Sequence, residues 1–226
     1  MSFALDDKPS TPQIVGVIFT RTDLRRAVRM RNPPDLFELR LDALFAGSEE
    51  IRAAIGDLRA PLIITARHPR EGGSNRLSAH RRRALLLRFM PHAVYLDIEL
   101  RSAGTFAAIL EEARAKGIRT IVSFHDFNET PTCSRLDEIA RLAQSLGADL
   151  LKVATRTDTA AQLTRLVDFF QRERLQMKIA AMGVGRLGRI SRFEFAKRGS
   201  VLNYAHLGIP QTDGQLSLKQ LRRALQ

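Results

Sequence analysis

Lys152 stands in the apolar run Asp149-Leu150-Leu151-Lys152-Val153-Ala154 and is one of only 6 lysines in a chain that otherwise uses 30 arginines for positive charge. A dry strand disfavours an ammonium, so an uncharged amine there can attack a carbonyl and form an imine. The same position also suits a lysine that snorkels to water or pairs with a carboxylate, and the run alone leaves both open. His125 ends the run Ile121-Val122-Ser123-Phe124-His125, 27 residues before the lysine. That is about the length of one βα unit, which would put the imidazole on the neighbouring strand end, where it suits general acid/base work. Taken alone, a histidine at such a place is more often structural. Glu71, in the loop Arg67-His68-Pro69-Arg70-Glu71-Gly72-Gly73, is either a third member that orients the imidazole or a solvated loop charge.

The elements that must position these groups alternate along the whole chain. Short β-branched or apolar runs predict eight strands near Ile14–Phe19, Leu36–Asp42, Leu62–Ala66, Val94–Leu100, Thr120–Phe124, Leu150–Ala154, Lys178–Met182 and Val201–Ala205, each followed by a segment of helical period such as Ser134–Leu146 or Thr159–Arg172. Residues that punctuate the strand ends, namely Arg40, Arg67, Asp97, His125, Lys152 and Met182, recur every 27 to 30 residues, which predicts equivalent heights on adjacent parallel strands. Eight such units closing on themselves make a single (β/α)8 TIM barrel over residues 1–226. An open doubly wound sheet is the alternative, and it would scatter the same side chains along an edge. Alternating charges in Glu38-Leu39-Arg40-Leu41-Asp42 and Asp97-Ile98-Glu99 favour the barrel, because a helix-wrapped strand must turn its charged face to the lumen mouth. Such buried charge is retained for binding rather than for stability.

Composition bounds the rest. Of 226 residues 44% are apolar and 27% charged, enough for one substantial core and against disorder. Asp6, Asp7, Lys8 and Pro9 occupy the place of a leader's apolar stretch, and no run approaches a membrane span, so a soluble, cytoplasmic chain is expected. The net charge of +12 favours an anionic partner, with a small anionic substrate supported at least as well as nucleic acid. The densest basic stretch, Arg76 to Arg88, reads as a solvated helix face.

Taken together, Phe37 to Asp42, Arg67 to Gly73, Val122 to Phe127 with Thr130-Pro131, Asp149 to Ala154, Gly188 to Arg192, Gly199-Ser200 and Gly214-Gln215 resemble type I 3-dehydroquinate dehydratase along nearly the whole chain. The resemblance implies dehydration of 3-dehydroquinate to 3-dehydroshikimate in the shikimate pathway through a lysine imine, by a homodimer without metal or cofactor. Lys152 would be the imine-forming lysine, His125 the acid/base and Glu71 the carboxylate that positions it. Arg192 would clamp the substrate carboxylate. Glu38, Arg40 and Arg67 would hold ring hydroxyls, Gln215 would close the site from the last loop, and Met182 and Tyr204 would wall it, Tyr204 standing where Phe is usual.

Three departures from the family pattern bear on binding. Gln211-Thr212-Asp213-Gly214-Gln215 lacks a proline and gains a carboxylate, which could repel an anionic substrate. The segment Met182–Arg192 is about two residues longer than in familiar members, which predicts a shifted approach of Arg192. Val17 replaces a hydroxyl-bearing residue of some members. With about twelve residues before the first strand, no elaborate hairpin is expected under the barrel. Two other functions compete. A class I aldolase would also place an imine lysine on a barrel strand and would use the Gly183-Val184-Gly185 loop for a phosphate. A non-catalytic anion- or RNA-binding barrel would use the arginines instead. Gly183 to Gly188 fits a dinucleotide fingerprint but lacks the acidic residue about twenty positions later. Cys133 reads as a bystander, and the histidines show no metal-ligand spacing.

Overall fold

Runs such as Gln13-Ile14-Val15-Gly16-Val17-Ile18 have no polar face broad enough for a surface helix, and they become strands buried on both sides. The structure, a computed structural model, describes residues 11–225. Its elements run β1 (Gln13–Ile18), α1 (Arg21–Val28), β2 (Leu36–Arg40), α2 (Leu41–Leu44), α3 (Ser48–Ala54), β3 (Leu62–Thr65), α4 (Ala79–Phe89), β4 (Ala93–Glu99), α5 (Ala107–Ala115) and β5 (Arg119–Asp126). They continue with α6 (Cys133–Ser145), β6 (Leu150–Arg156), α7 (Ala160–Glu173), β7 (Ile179–Val184), α8 (Gly188–Lys197), β8 (Leu202–His206), a two-residue β9 (Leu216–Ser217) and α9 (Leu218–Ala224). Capping boxes at Thr20, Thr159 and Ser217 start α1, α7 and α9, each contributing roughly 1 kcal/mol. The leader reading on Asp6 to Pro9 and the hairpin expectation fall largely on residues 1–10, outside the described residues. Among the described residues no helix is long and apolar enough to cross a membrane.

All ladders are parallel, in the order β7-β6-β5-β4-β3-β2-β1-β8-β9. The strands curl into a barrel-like α/β fold with a seam between β7 and β8. Near its amino end Val201 N–H donates across that seam to Ile179 O at 3.0 Å. Outward faces pack on the helices through Phe37, Leu39, Ile98, Val122, Val153 and Ala181. Inward, Val15, Leu36, Ile63, Tyr95, Ile121, Leu150 and Ala180 make an apolar floor. The polar mouth stands on it.

The register corrects the expectation of equal heights. Lys152 pairs with Ser123 and not with His125, Met182 pairs with Ala154, and Asp97 pairs with Ile121. Tilted strands in a curled sheet advance their register around it, so a nearly constant sequence spacing traces a spiral. Lys152 consequently lies one inward-facing step deeper than His125. Two further readings shift. Arg67 lies two residues beyond β3, and Asp42 belongs to α2, from which its carboxylate accepts the N–H groups of Arg67 (3.0 Å) and Ser74 (2.9 Å). The basic stretch is only partly a solvated face. Arg82 of α4 is buried, donating to Ala66 O at 2.7 Å and to Glu99 and Ser102 while lying 4.9 Å from the Phe106 ring centroid.

Candidate active site

A cavity of about 290 Å³ opens at the carboxyl ends of the strands. Every residue expected from the sequence lines it: Glu38 and Arg40 from β2, Arg67 and Glu71 from the loop after β3, His125 from β5, Lys152 from β6, Met182 from β7, Arg192 from α8, Tyr204 from β8 and Gln215 from the last loop. The strand-end rule brought them together; the order in depth comes from the register.

Lys152 lies at the bottom with its side chain 5% exposed. Its Nζ donates to Glu38 Oε1 and Asp97 Oδ2, both at 3.1 Å, and sits 3.9 Å from the centroid of the Tyr204 ring. The amine is dry, as expected, but it is not solitary: two carboxylates and an aromatic face are the partners of an ammonium. Asp97 is the better anchored carboxylate. Arg67 meets it with two nitrogens, at 2.9 and 2.6 Å, and Ser123 Oγ donates at 2.6 Å. Burial alone would raise its pKa, yet Arg67 and Lys152 outweigh that and hold it far below the usual carboxylate range. Arg67 is itself disfavoured by burial, and Asp97, Glu99 and Glu38 together push its pKa up. Glu38 is held more lightly, by Thr65 Oγ1 at 3.0 Å and by Arg67 at 3.6 Å.

Above the lysine, Glu71 and His125 form a second unit. Glu71 ends the 3₁₀ turn Pro69–Glu71 and is 3% exposed, which removes the solvated-loop reading. Its Oε2 accepts the His125 backbone N–H at 3.0 Å and lies 2.9 Å from His125 Nδ1. A carboxylate there assigns the proton to Nδ1 and leaves Nε2 with a free lone pair. Burial first, then the nearby Arg67 and Lys152, hold the imidazole well below its ordinary pKa. Burial also pushes the Glu71 carboxyl up to about 7, with Arg67 and Arg101 opposing the rise. The two glycines after Glu71 are a steric requirement. Gly72 has φ +80°, and a Cβ on Gly73 would sit 2.3 Å from Arg67 O. Phe127 stacks on His125, the ring centroids 6.2 Å apart.

On the opposite side Arg192 enters at the β7–β8 seam, where Nη1 lies 3.4 Å from Tyr204 O and 3.6 Å from Met182 Sδ. Among the described residues no carboxylate pairs with it, and burial brings its pKa down to about 10. Asp213 is exposed and does not line the cavity, whereas Gln211 and Thr212 do, so the feared repulsion has no carboxylate at the wall. The loop at Gly183 and Gly185 is engaged in contacts with its own neighbours. Positions for their Cβ atoms are filled by Ser191, Thr157 and Asp158, and Asp158 Oδ1 already accepts the Arg186 N–H at 2.7 Å. Cys133 is exposed at the start of α6. Among the described residues no group of three His, Cys, Asp or Glu side chains is placed to hold a metal ion.

Sequence reasoning left Ser123, Arg82, Arg101, Gln211 and Thr212 outside the site. Ser123 shared the inward face of β5 with His125 and could have been found from that alternation. Arg82 and Arg101 carry no such signal, being two among thirty arginines.

The family profile described as type I 3-dehydroquinase matches residues 19–226. A 3-dehydroquinate dehydratase from Methanothermobacter thermautotrophicus is 33% identical over 84% of this chain and 84% of its own length. Another, from Thermococcus gammatolerans, is 31% identical over 94% of this chain and 97% of its own. The crystal structure of the 3-dehydroquinate dehydratase from Geobacillus kaustophilus superposes with a TM-score of 0.85 at 26% identity, covering 95% of this chain and 90% of that one.

Proposed function

We propose roles for the cavity residues from one premise: this chain belongs to the type I 3-dehydroquinase family and is a hydro-lyase of the shikimate pathway that dehydrates 3-dehydroquinate to 3-dehydroshikimate. The observation that carries the assignment of roles is the stacking in depth of a buried amine below a carboxylate-held imidazole in one cavity.

Lys152 Nζ attacks the substrate ketone after losing a proton, and the carbinolamine expels water to leave an imine. Of the two carboxylates within reach of that proton, Asp97 is committed to the Arg67 fork, so Glu38 is the acceptor the geometry favours. The imine draws electrons from the adjacent carbon, and His125 Nε2 removes the proton there. The same nitrogen then delivers that proton to the departing hydroxyl, which leaves as water. Hydrolysis of the imine returns the amine and releases the enone. Arg192, unpaired and buried, offers a planar fork to the substrate carboxylate. Arg40 and Arg67 face the ring hydroxyls, Met182 and Tyr204 pack against the ring, and Gln215 closes the mouth, its Oε1 holding the Gln211 N–H at 2.7 Å.

The family resemblance also supports a homodimer in the cytoplasm, built as one barrel domain and acting on a small anionic substrate with no cofactor, nucleic acid or membrane. Sedimentation of the purified protein tests the dimer. The activity is tested by mixing the protein with 3-dehydroquinate and following the ultraviolet absorbance of the conjugated enone. A rise proportional to enzyme concentration is expected, and its absence from folded protein would overturn the reading.

A further inference from the structure

We infer that Arg101 is a positioning residue for this reaction: by anchoring the second oxygen of Glu71, it keeps that carboxylate charged and aimed at His125. The inference rests on the roles proposed above for His125 and Glu71.

Arg101 follows β4 directly, in a 3₁₀ turn over Leu100–Ser102, and it does not line the cavity. Its Nε donates to Glu71 Oε1 at 2.7 Å. The other oxygen of Glu71 is taken by the backbone N–H and Nδ1 of His125. The two oxygens therefore have separate duties, one toward the imidazole and one toward the arginine. Burial differs sharply across the bond: the Arg101 side chain is 43% exposed, that of Glu71 only 2%. A guanidinium half in water keeps its charge at little desolvation cost. Its partner end is dry, so the contact is less screened than an ordinary surface pair.

The charged surroundings of the carboxylate are mixed. Arg67 beyond β3 and Arg101 beyond β4 favour the anion, Glu99 from β4 opposes it, His125 from β5 donates to it, and its own turn carries His68 and Arg70. Around His125, Arg67, Lys152 and Arg40 disfavour the imidazolium while Asp97 favours it. Two of the opposing influences on Glu71, burial and Glu99, raise its pKa to about 7, so the removal of one cation tips the balance. The consequence for chemistry is specific. A protonated Glu71 becomes a donor toward Nδ1, the tautomer reverses, and the hydrogen then sits on Nε2, where a free lone pair is needed.

The test is the pH dependence of kcat and kcat/KM for wild type, Arg101→Gln, Arg101→Lys, Glu71→Gln and the double variant Glu71→Gln/Arg101→Gln. For Arg101→Gln the acid limb should move up by about one pH unit, with KM unchanged and kcat on the plateau reduced no more than about threefold. Arg101→Lys should restore most of the shift. In the Glu71→Gln background the arginine change should add nothing, because there is no carboxylate left for it to act through. An altered Glu71→Gln enzyme beside an Arg101→Gln profile that superposes on wild type overturns this inference alone. A Glu71→Gln enzyme indistinguishable from wild type overturns the parent roles and this inference with them.

Discussion

On the β2–β6 side of the cavity the charges are matched to one another: Arg82 to Glu99, Glu99 to Arg67, Arg67 to Asp97, and Asp97 with Glu38 to Lys152. On the β7–β8 side the ladder is interrupted and matching stops. The buried side-chain atoms without a hydrogen-bond partner among the described residues are Arg192 Nε, Tyr204 Oη, His206 Nδ1 and Gln211 Oε1, all beyond β7. Three of these residues, Arg192, Tyr204 and Gln211, line the cavity, where a barrel built only for stability would not leave polar atoms unpaired. The contrast separates two tasks. The groups proposed to bond to and deprotonate the substrate are held by each other before it arrives, whereas the group proposed to bind its charge has no anion beside it among the described residues.

Large effects are expected on the matched side. His125→Ala should lower kcat about 10³-fold with KM little changed, measured by enone formation, because it removes both proton transfers. Next, Arg67→Met should lose about 3–5 kcal/mol of unfolding free energy in denaturant titrations, since Asp97 would lose its two-nitrogen fork and three buried carboxylates would keep only Lys152 and Arg82 as cations. The same substitution on the other side should have the opposite sign. Arg192→Met removes a buried charge with no carboxylate partner among the described residues and should gain about 1 kcal/mol, while raising KM for 3-dehydroquinate about 10²-fold. If both arginine variants lose stability alike, the distinction between the walls fails. The smallest effect belongs to Tyr204→Phe. Its hydroxyl has no hydrogen-bond partner among the described residues and its ring faces Lys152, so kcat should change less than about threefold and stability should hold or rise slightly.

Much of this arrangement was legible in the sequence, and the reasons are local. Eight strands could be read because each is a short apolar run bounded by polar segments, and the inward residues because charges recur every second position in Glu38-Leu39-Arg40 and Asp97-Ile98-Glu99. Lys152, His125 and Glu71 converge because strand ends in a curled parallel sheet converge. The depth of each was not legible. Register depends on strand tilt, which no local spacing encodes, so His125 and Lys152 were expected level and lie one step apart. Pairing was not legible either. The lysine's apolar neighbours in sequence point outward to the helices, and its actual partners, Glu38 and Asp97, come from strands 114 and 55 residues away. Arg82 and Arg101 were hidden for the same reason, since a helix or turn arginine turns inward only where a distant carboxylate meets it. The β7–β8 seam leaves no mark in the composition of either strand.

The central claim is a covalent bond between substrate and the amine at the cavity floor. Borohydride reduction during turnover of 3-dehydroquinate, followed by peptide mass mapping, tests it directly. One stable adduct is expected, on the peptide that carries Lys152 and absent from Lys152→Met, which should also be inactive. Turnover at normal rate with no trapped adduct, or an adduct on any other lysine, would contradict it.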